Sequence, residues 1–407
     1  MHRAPRSAPR LDPLDVAYGI PVGYEEGPPL RPESGSTRRR RSSVARSLLP
    51  RVALEGVLRR ALSRPPCLVS FSGGRDSSAL LSVAVHVARS EGLPLPVPAT
   101  LAFPGTDVAD ETEWQDVVLE HLGITERERI VVHGELDAVG PVAIAALARH
   151  GLLWPFNAHF HLPIIERAAG GTVVTGFGGD ELRSSSSSAF LELALTGRRR
   201  PRWGHLLMLG LAMSPKLVRR GVQRRRAREQ LTKLPWLTPL GRTRIAAALG
   251  DLRATSPLGW DRRVRQRFWR DRYFRVCEDT FTVLGEYHDV AVVHPFVDEQ
   301  VLDALASAGG FAGFGSAQEL MSELFGDLLP DRVVRRRTKG SFTDALWTPT
   351  ARSFAAEWSG EGVDEELVDP VALRRHWLEE DRHLLSTTLL QQAWLYDHPS
   401  GPKTAPL

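Results

Sequence analysis

Cysteine is nearly absent: among 407 residues there are only Cys67 and Cys277. Two thiols cannot build a disulfide framework or a thiolate zinc site, and their scarcity points to a reducing, cytoplasmic setting. Long apolar runs are missing as well. The longest, such as Leu206 to Met213, falls well short of the ~18 residues of a membrane span. The start, Met1 to about Arg10, is basic and proline-rich, with no apolar stretch for a signal peptide. Charge of one sign is not in large excess either. Fifty-two basic against 48 acidic side chains leave +4, so nucleic-acid binding is not indicated. These absences predict a soluble, cytoplasmic protein with no membrane partner.

What is present is an ordinary globular balance, 42% hydrophobic and 25% charged, enough for a large core in two lobes. Residues 1–47 are rich in Pro, Arg, Gly and Ser and end in Arg38-Arg39-Arg40-Arg41, which predicts an irregular basic leader. From 48 to 185 the rhythm is that of an α/β core. Leu48 to Leu62 has helical periodicity and stops at Pro65-Pro66. Cys67 to Phe71 is a short apolar run that fits a buried parallel strand, and Ser77 to Arg89 reads as a helix ended by Gly92. Strands are expected at Thr100–Phe103, Ile130–Val132 and Thr172–Thr175, with helices near 111–122 and 158–169. That alternation argues for a parallel sheet covered on both faces. From 186 to 407 no strand alternation is clear. Arginine clusters such as Arg198-Arg199-Arg200 and Arg262-Arg263 punctuate Leu- and Trp-rich segments, so this part reads as a helical substrate lobe.

Two loops carry chemistry. Ser72-Gly73-Gly74-Arg75-Asp76-Ser77-Ser78 follows the first strand and opens a helix. Adjacent glycines let backbone N–H groups approach an anion, and the helix start adds its positive end. Ser72, Ser77 and Ser78 add hydroxyls. Asp76 would repel phosphate unless it holds Mg²⁺, which neutralises both. The pattern lacks the Gly-Lys-Ser/Thr ending of a Walker loop. The second loop, Gly176-Phe177-Gly178-Gly179-Asp180-Glu181-Leu182, follows the Thr172 strand. If that strand lies beside the first, Asp180 emerges near Asp76, and a shared Mg²⁺ removes the conflict between the carboxylates.

These two loops, together with Pro295-Phe296-Val297-Asp298 and Arg337-Thr338-Lys339-Gly340-Ser341-Phe342, resemble in order the motifs of asparagine-synthetase synthetase domains. The same domain occurs in β-lactam synthetases, carbapenam synthetases and lasso-peptide cyclases. The resemblance covers about residues 50 to 350. It implies a pyrophosphate-loop core of the adenine nucleotide α-hydrolase kind with a mainly helical C-terminal lobe. It implies a ligase that adenylates a substrate carboxylate with ATP, releases pyrophosphate, and lets an amine displace AMP. Carried over by position, Ser72, Gly73, Gly74, Ser77 and Ser78 cradle pyrophosphate, with Gly176 and Gly178 also lining the nucleotide site. Asp76 and Asp180 ligate Mg²⁺, and Lys339 reaches the α-phosphate. A flexible ammonium on a glycine-containing loop suits that last task on physical grounds too.

Two departures shape the expectation. Residue 2 is His2 and only about 50 residues precede the synthetase region, so a glutamine-hydrolysing domain is not expected. Ammonia, a tethered amine or a peptide amine then becomes the nucleophile, and the partners are small-molecule or peptide carboxylates and amines, a precursor peptide among them. Second, asparagine synthetases resemble one another in carrying Glu where this chain has Phe177, and β-lactam synthetases Tyr. Phenylalanine takes no proton, so a base must come from elsewhere, with Glu278, Glu286, His288 and Asp289 as candidates. His159 and His161 suggest a metal only on a strand, which Pro155 and Pro163 disfavour. Asp110, Glu111 and Trp114 open a helix, the two acids in its first turn. The rival readings are a tRNA-modifying pyrophosphate-loop enzyme and a non-catalytic ATP-binding relative.

Overall fold

The computed structural model describes residues 10–24, 43–104, 111–182, 210–211, 213–336, 340 and 343–399, apart from the side chains of 43–48 and 269. In chain order it contains α1 (Pro13–Tyr18), α2 (Ser43–Leu62), β1 (Cys67–Ser70), α3 (Arg75–Glu91), β2 (Val97–Ala102), α4 (Thr112–Leu122), β3 (Glu128–Val131), α5 (Pro141–His150), α6 (Leu162–Arg167), β4 (Thr172–Val174) and α7 (Gly179–Leu182). There follow α8 (Lys216–Leu231), α9 (Pro239–Thr255), α10 (Trp260–Arg270), α11 (Arg272–Tyr287), β5 (Ala291–Val293), α12 (Glu299–Gly309), α13 (Ala317–Phe325), α14 (Asp331–Val334) and α15 (Thr343–Leu346). The helices Pro349–Glu357, Pro370–Leu378 and Thr387–Asp397 complete the described chain. Among the described residues no helix is long and apolar enough to cross a membrane.

The five strands form one parallel sheet in the order β3-β2-β1-β4-β5. Successive strand side chains point to opposite faces, and the core divides accordingly. Leu68 and Val173 pack into one apolar layer, whereas Val69 and Val174 pack into the other. Both faces are thus covered, which is why these strands read as unbroken apolar runs rather than alternating ones. The α/β architecture with a parallel sheet and a largely helical second half is the one expected.

Three details differ from expectation. β5 comes from the half read as helical; its three residues are too few to show a period. A helix, α5, lies between the expected strand near 130 and the expected helix near 158. Within the leader read as irregular, α1 is ordered by a capping box between Asp12 and Asp15. Asp15 is 1% exposed and bonds Arg272 at 2.5 Å. That ion pair, buried at Asp15 and partly exposed at Arg272, ties the leader to α11.

Candidate active site

The chain lays β2 and β3 on one side of β1 and then returns to put β4 on the other. Such a switch in direction leaves a crevice beyond the carboxyl ends of the two strands, the usual ligand site of an open parallel sheet. Both glycine-rich loops open into it.

In the first loop, Gly73 has φ +76°, and a Cβ there would come within 3.1 Å of the Gln115 backbone nitrogen. Gly74 is the extended N-cap of α3 and supplies no side-chain cap. A helix start of this kind is where an exogenous anion binds. The hydroxyls of Ser72 and Ser77 lie 3.3 Å apart, and Ser77 Oγ donates to the Gly74 carbonyl at 3.1 Å. Ser78 lies beneath, its Oγ fully buried without a hydrogen-bond partner.

The second loop meets the first through glycine main chain. A Cβ on Gly179 would lie 2.5 Å from Asp76 Cγ, and one on Gly176 3.5 Å from Asp76 Cβ. The Asp76 carboxyl is therefore seated against Gly179, one residue from the exposed Asp180. Gly178 has φ +91°, and a Cβ there would strike Val297 Cγ1 at 2.5 Å. The Pro295–Asp298 segment thus walls the loop from behind. Its Asp298 accepts from Gln300 N at 2.9 Å and caps α12, a structural duty.

Among the described residues no group of three or more His, Cys, Asp or Glu is placed to hold a metal ion by itself. Mg²⁺ would not require such a group, because that ion is held by one or two carboxylates with substrate phosphates completing its shell. Asp76 lies beside the glycine cradle, and Asp180 follows Gly179.

Lys339 lies outside the described residues, but the segment leading to it is anchored at the site. Arg336 is buried and forks onto Glu111, its Nη2 2.6 Å from Oε1 and 2.5 Å from Oε2. Its Nη1 donates to the Gly73 carbonyl at 3.0 Å. The guanidinium also lies 4.5 Å from the Trp114 ring centroid, with Arg332 at 4.9 Å. A Cβ on Gly340 would sit 2.5 Å from Glu111 Oε1. Glu111 is therefore not the simple first-turn acid expected from its position, but the counter-charge of Arg336 in a clamp between the first glycine-rich loop and Gly340. Asp110 lies outside the described residues.

The side of the crevice next to β5 is mainly aromatic. Phe177 stacks on Tyr273 (centroids 6.2 Å apart) and packs on Phe274 and His294 at 5.6 and 5.4 Å. The Phe177 amide donates to Thr175 Oγ1, which shares a 2.5 Å hydrogen bond with His294 Nδ1. His294 is pushed down to about 3 by burial and by the neighbouring His161. His161 and His159 are each pushed down to about 4, first by burial. His159 bonds the Leu136 carbonyl, and both sit on a short 3-10 helix, so the pair is not a strand-borne metal motif. Tyr273 donates to Glu181 Oε1 at 2.7 Å; burial, with the nearby carboxylate, keeps its phenol protonated.

The expected base candidates fare poorly. Glu286, His288 and Asp289 precede β5 and lie at the sheet edge opposite the crevice, where Asp289 pairs with Arg64. Glu278 is exposed on α11. His294 and Tyr273, overlooked from sequence, are titratable rings that do border Phe177.

Comparison with known proteins agrees with this geometry. The family model described as asparagine synthase matches residues 51–396, which spans the sheet, both loops and the helical half. Comparison with curated proteins returns no match. The family as a whole comprises ATP-dependent amide-forming ligases, and this chain belongs to the asparagine synthase family.

Proposed function

We propose that the protein is an AMP-forming amide ligase. A substrate carboxylate attacks the α-phosphorus of ATP, the bond to the bridging oxygen breaks, and pyrophosphate leaves. An amine then attacks the acyl carbon, AMP leaves with the C–O bonding pair, and the amine gives up a proton. The observation that carries this reading is the seating of Asp76 against Gly179, which joins two glycine-rich loops at the sheet's switch point.

Each part of the site has a task in this scheme. Ser72, Gly73, Gly74, Ser77 and Ser78 cradle the pyrophosphate, with Gly176 and Gly178 shaping the facing loop. Asp76 and Asp180 would hold Mg²⁺, which supplies charge neutralisation between ATP and the carboxylates. Lys339 reaches the α-phosphate and the charge that develops on acyl transfer, on a segment steadied by the Arg336–Glu111 clamp. The acceptor amine enters beside Phe177. The substrates are a small-molecule or peptide carboxylate and an amine, and closure of a macrolactam on a precursor peptide is one concrete form.

Carboxylate-dependent ATP–pyrophosphate exchange, run over a panel of amino acids and acidic peptides, tests the scheme. AMP and pyrophosphate should form in step with product, and Asp76→Asn and Lys339→Ala should each lower exchange about 10³-fold. Formation of ADP, or exchange undiminished in Asp76→Asn, would sink it.

A further inference from the structure

Residues 10–24 precede the span matched by the family model, 51–396, yet several of their polar groups are directed at the wall of the crevice that carries Phe177. Asp15 is buried; one carboxylate oxygen accepts from Val22 N at 2.9 Å and the other from Arg272 Nη2 at 2.5 Å. Gly23 offers its carbonyl to the Arg272 amide at 3.0 Å, and Tyr24 forms an antiparallel bridge with Asp271. The first N–H groups of a helix have no partner within it, and α11 has no side-chain cap. The leader carbonyl therefore stands in for that cap, and the Asp15 carboxylate holds the side chain beside it.

A second line runs through Trp154, whose Nε1 donates to the Gly19 carbonyl at 3.0 Å in a buried bond. Gly19 is itself tightly placed: its φ is +79°, and a Cβ there would strike the Leu385 carbonyl oxygen. Both lines end on one side chain. Tyr273 follows Arg272 directly, and the Trp154 ring meets it edge-on at 4.7 Å between centroids. Tyr273 in turn stacks on Phe177 and donates to Glu181 Oε1, so it touches the second glycine-rich loop twice. Helix ends fray when nothing secures them, and here the securing groups come from the leader.

We propose that residues 10–24 position the Phe177 wall, with Asp15 and Gly19 acting through Arg272 and Trp154 to hold Tyr273 against the second loop. In the proposed ligase reaction, on which this further step rests, the leader governs how the acceptor amine is received. It leaves adenylation alone, because these bonds lead to Phe177 and Glu181 and not to Ser72–Ser78.

Amide hydrogen exchange, read by mass spectrometry on the full chain without ATP, tests the holding and needs no turnover. In Asp15→Asn, peptides covering 272–280 and 176–182 should exchange about tenfold faster or more, while a peptide covering 72–80 changes less than about twofold. Trp154→Phe keeps a ring against Tyr273 and loses the bond to Gly19. It should move the same peptides by a smaller factor, and it serves if Asp15→Asn does not fold. Ser316→Ala removes the capping box of α13 and measures a merely structural loss; it should move neither peptide. For the amine step, hydroxylamine is the acceptor probe, used with whichever acid gives the fastest ATP–pyrophosphate exchange. Asp15→Asn should raise the KM for hydroxylamine about tenfold and keep pyrophosphate exchange within about twofold of wild type. Uniform acceleration of all peptides, no change at 272–280 and 176–182 in either variant, the same pattern in Ser316→Ala, or equal losses in the two half-reactions would each overturn the proposal. Absence of pyrophosphate exchange in the wild type would remove the ligase reading and the acceptor role together, whereas hydrogen exchange would still decide the holding.

Discussion

The two sides of the crevice are built from opposite materials. Beside β1 the groups are polar and charged: serine hydroxyls, Asp76, and a buried guanidinium clamped on a carboxylate. Beside β5 they are aromatic rings and imidazoles held neutral by burial. The first side suits a polyphosphate that arrives with its charge. The second penalises an anion, because a negative charge moved there loses its hydration among rings and meets the Glu181 carboxylate that holds Tyr273. In the proposed reaction an acceptor amine entering next to Phe177 would meet these rings and Glu181, with no group at position 177 able to take its proton.

The largest effect should come from breaking the charged side. In Glu111→Ala the Arg336 guanidinium stays buried beside the Gly73 carbonyl without its counter-charge. Removing one partner of such a pair costs about 3–5 kcal/mol, and urea unfolding should show it. The double change Glu111→Leu/Arg336→Met should recover most of the loss, since apolar pairs replace buried ion pairs at little cost. A single-variant loss under about 1 kcal/mol would mean that the clamp is wet and the contrast between the two sides overstated.

Charging the neutral side comes next. Phe177→Glu brings a carboxyl against Tyr273, Phe274 and His294. Phe177 is half-buried, so a cost of about 1–3 kcal/mol is expected, growing as pH rises and the carboxyl ionises. Phe177→Tyr should cost less than about 1 kcal/mol. Equal stability of the two variants across pH would show that solvent reaches this side freely.

How much of this could be read in advance follows the same division. β1 was legible because an apolar run ends directly in Ser72-Gly73-Gly74, and the approach of the two loops followed from a single guess that β4 lies beside β1. β5 was not legible, being three half-buried residues with no period to detect. Arg336 hides between two more arginines, and its partner Glu111 is 225 residues away. His294 carries no local signal, because the hydroxyl that bonds it belongs to Thr175, 119 residues earlier. Local pattern carries strands and turns; long-range partners decide which members of a repeated residue type matter.

The gentlest probe of the neutral side is acid. His159, His161 and His294 are folded with values near 4, 4 and 3, against about 6.5 in an unfolded chain. Below pH 6.5 the unfolded state takes up protons that the folded state refuses. The stability these rings contribute is therefore complete above about pH 6.5 and is lost as pH falls toward 4 and then 3. Each ring adds about 1.4 kcal/mol per pH unit to that slope. Asp271 works the other way: burial raises it to about 6, so its contribution is lost as pH rises through that value. Comparing wild type with His294→Asn cancels that opposing trend. Whatever its offset at pH 8, the variant should lose stability between pH 6 and 4.5 more slowly, by about 1.4 kcal/mol per unit. Parallel curves would mean that His294 takes up a proton in the folded protein, and that the side of the crevice beside Phe177 tolerates charge after all.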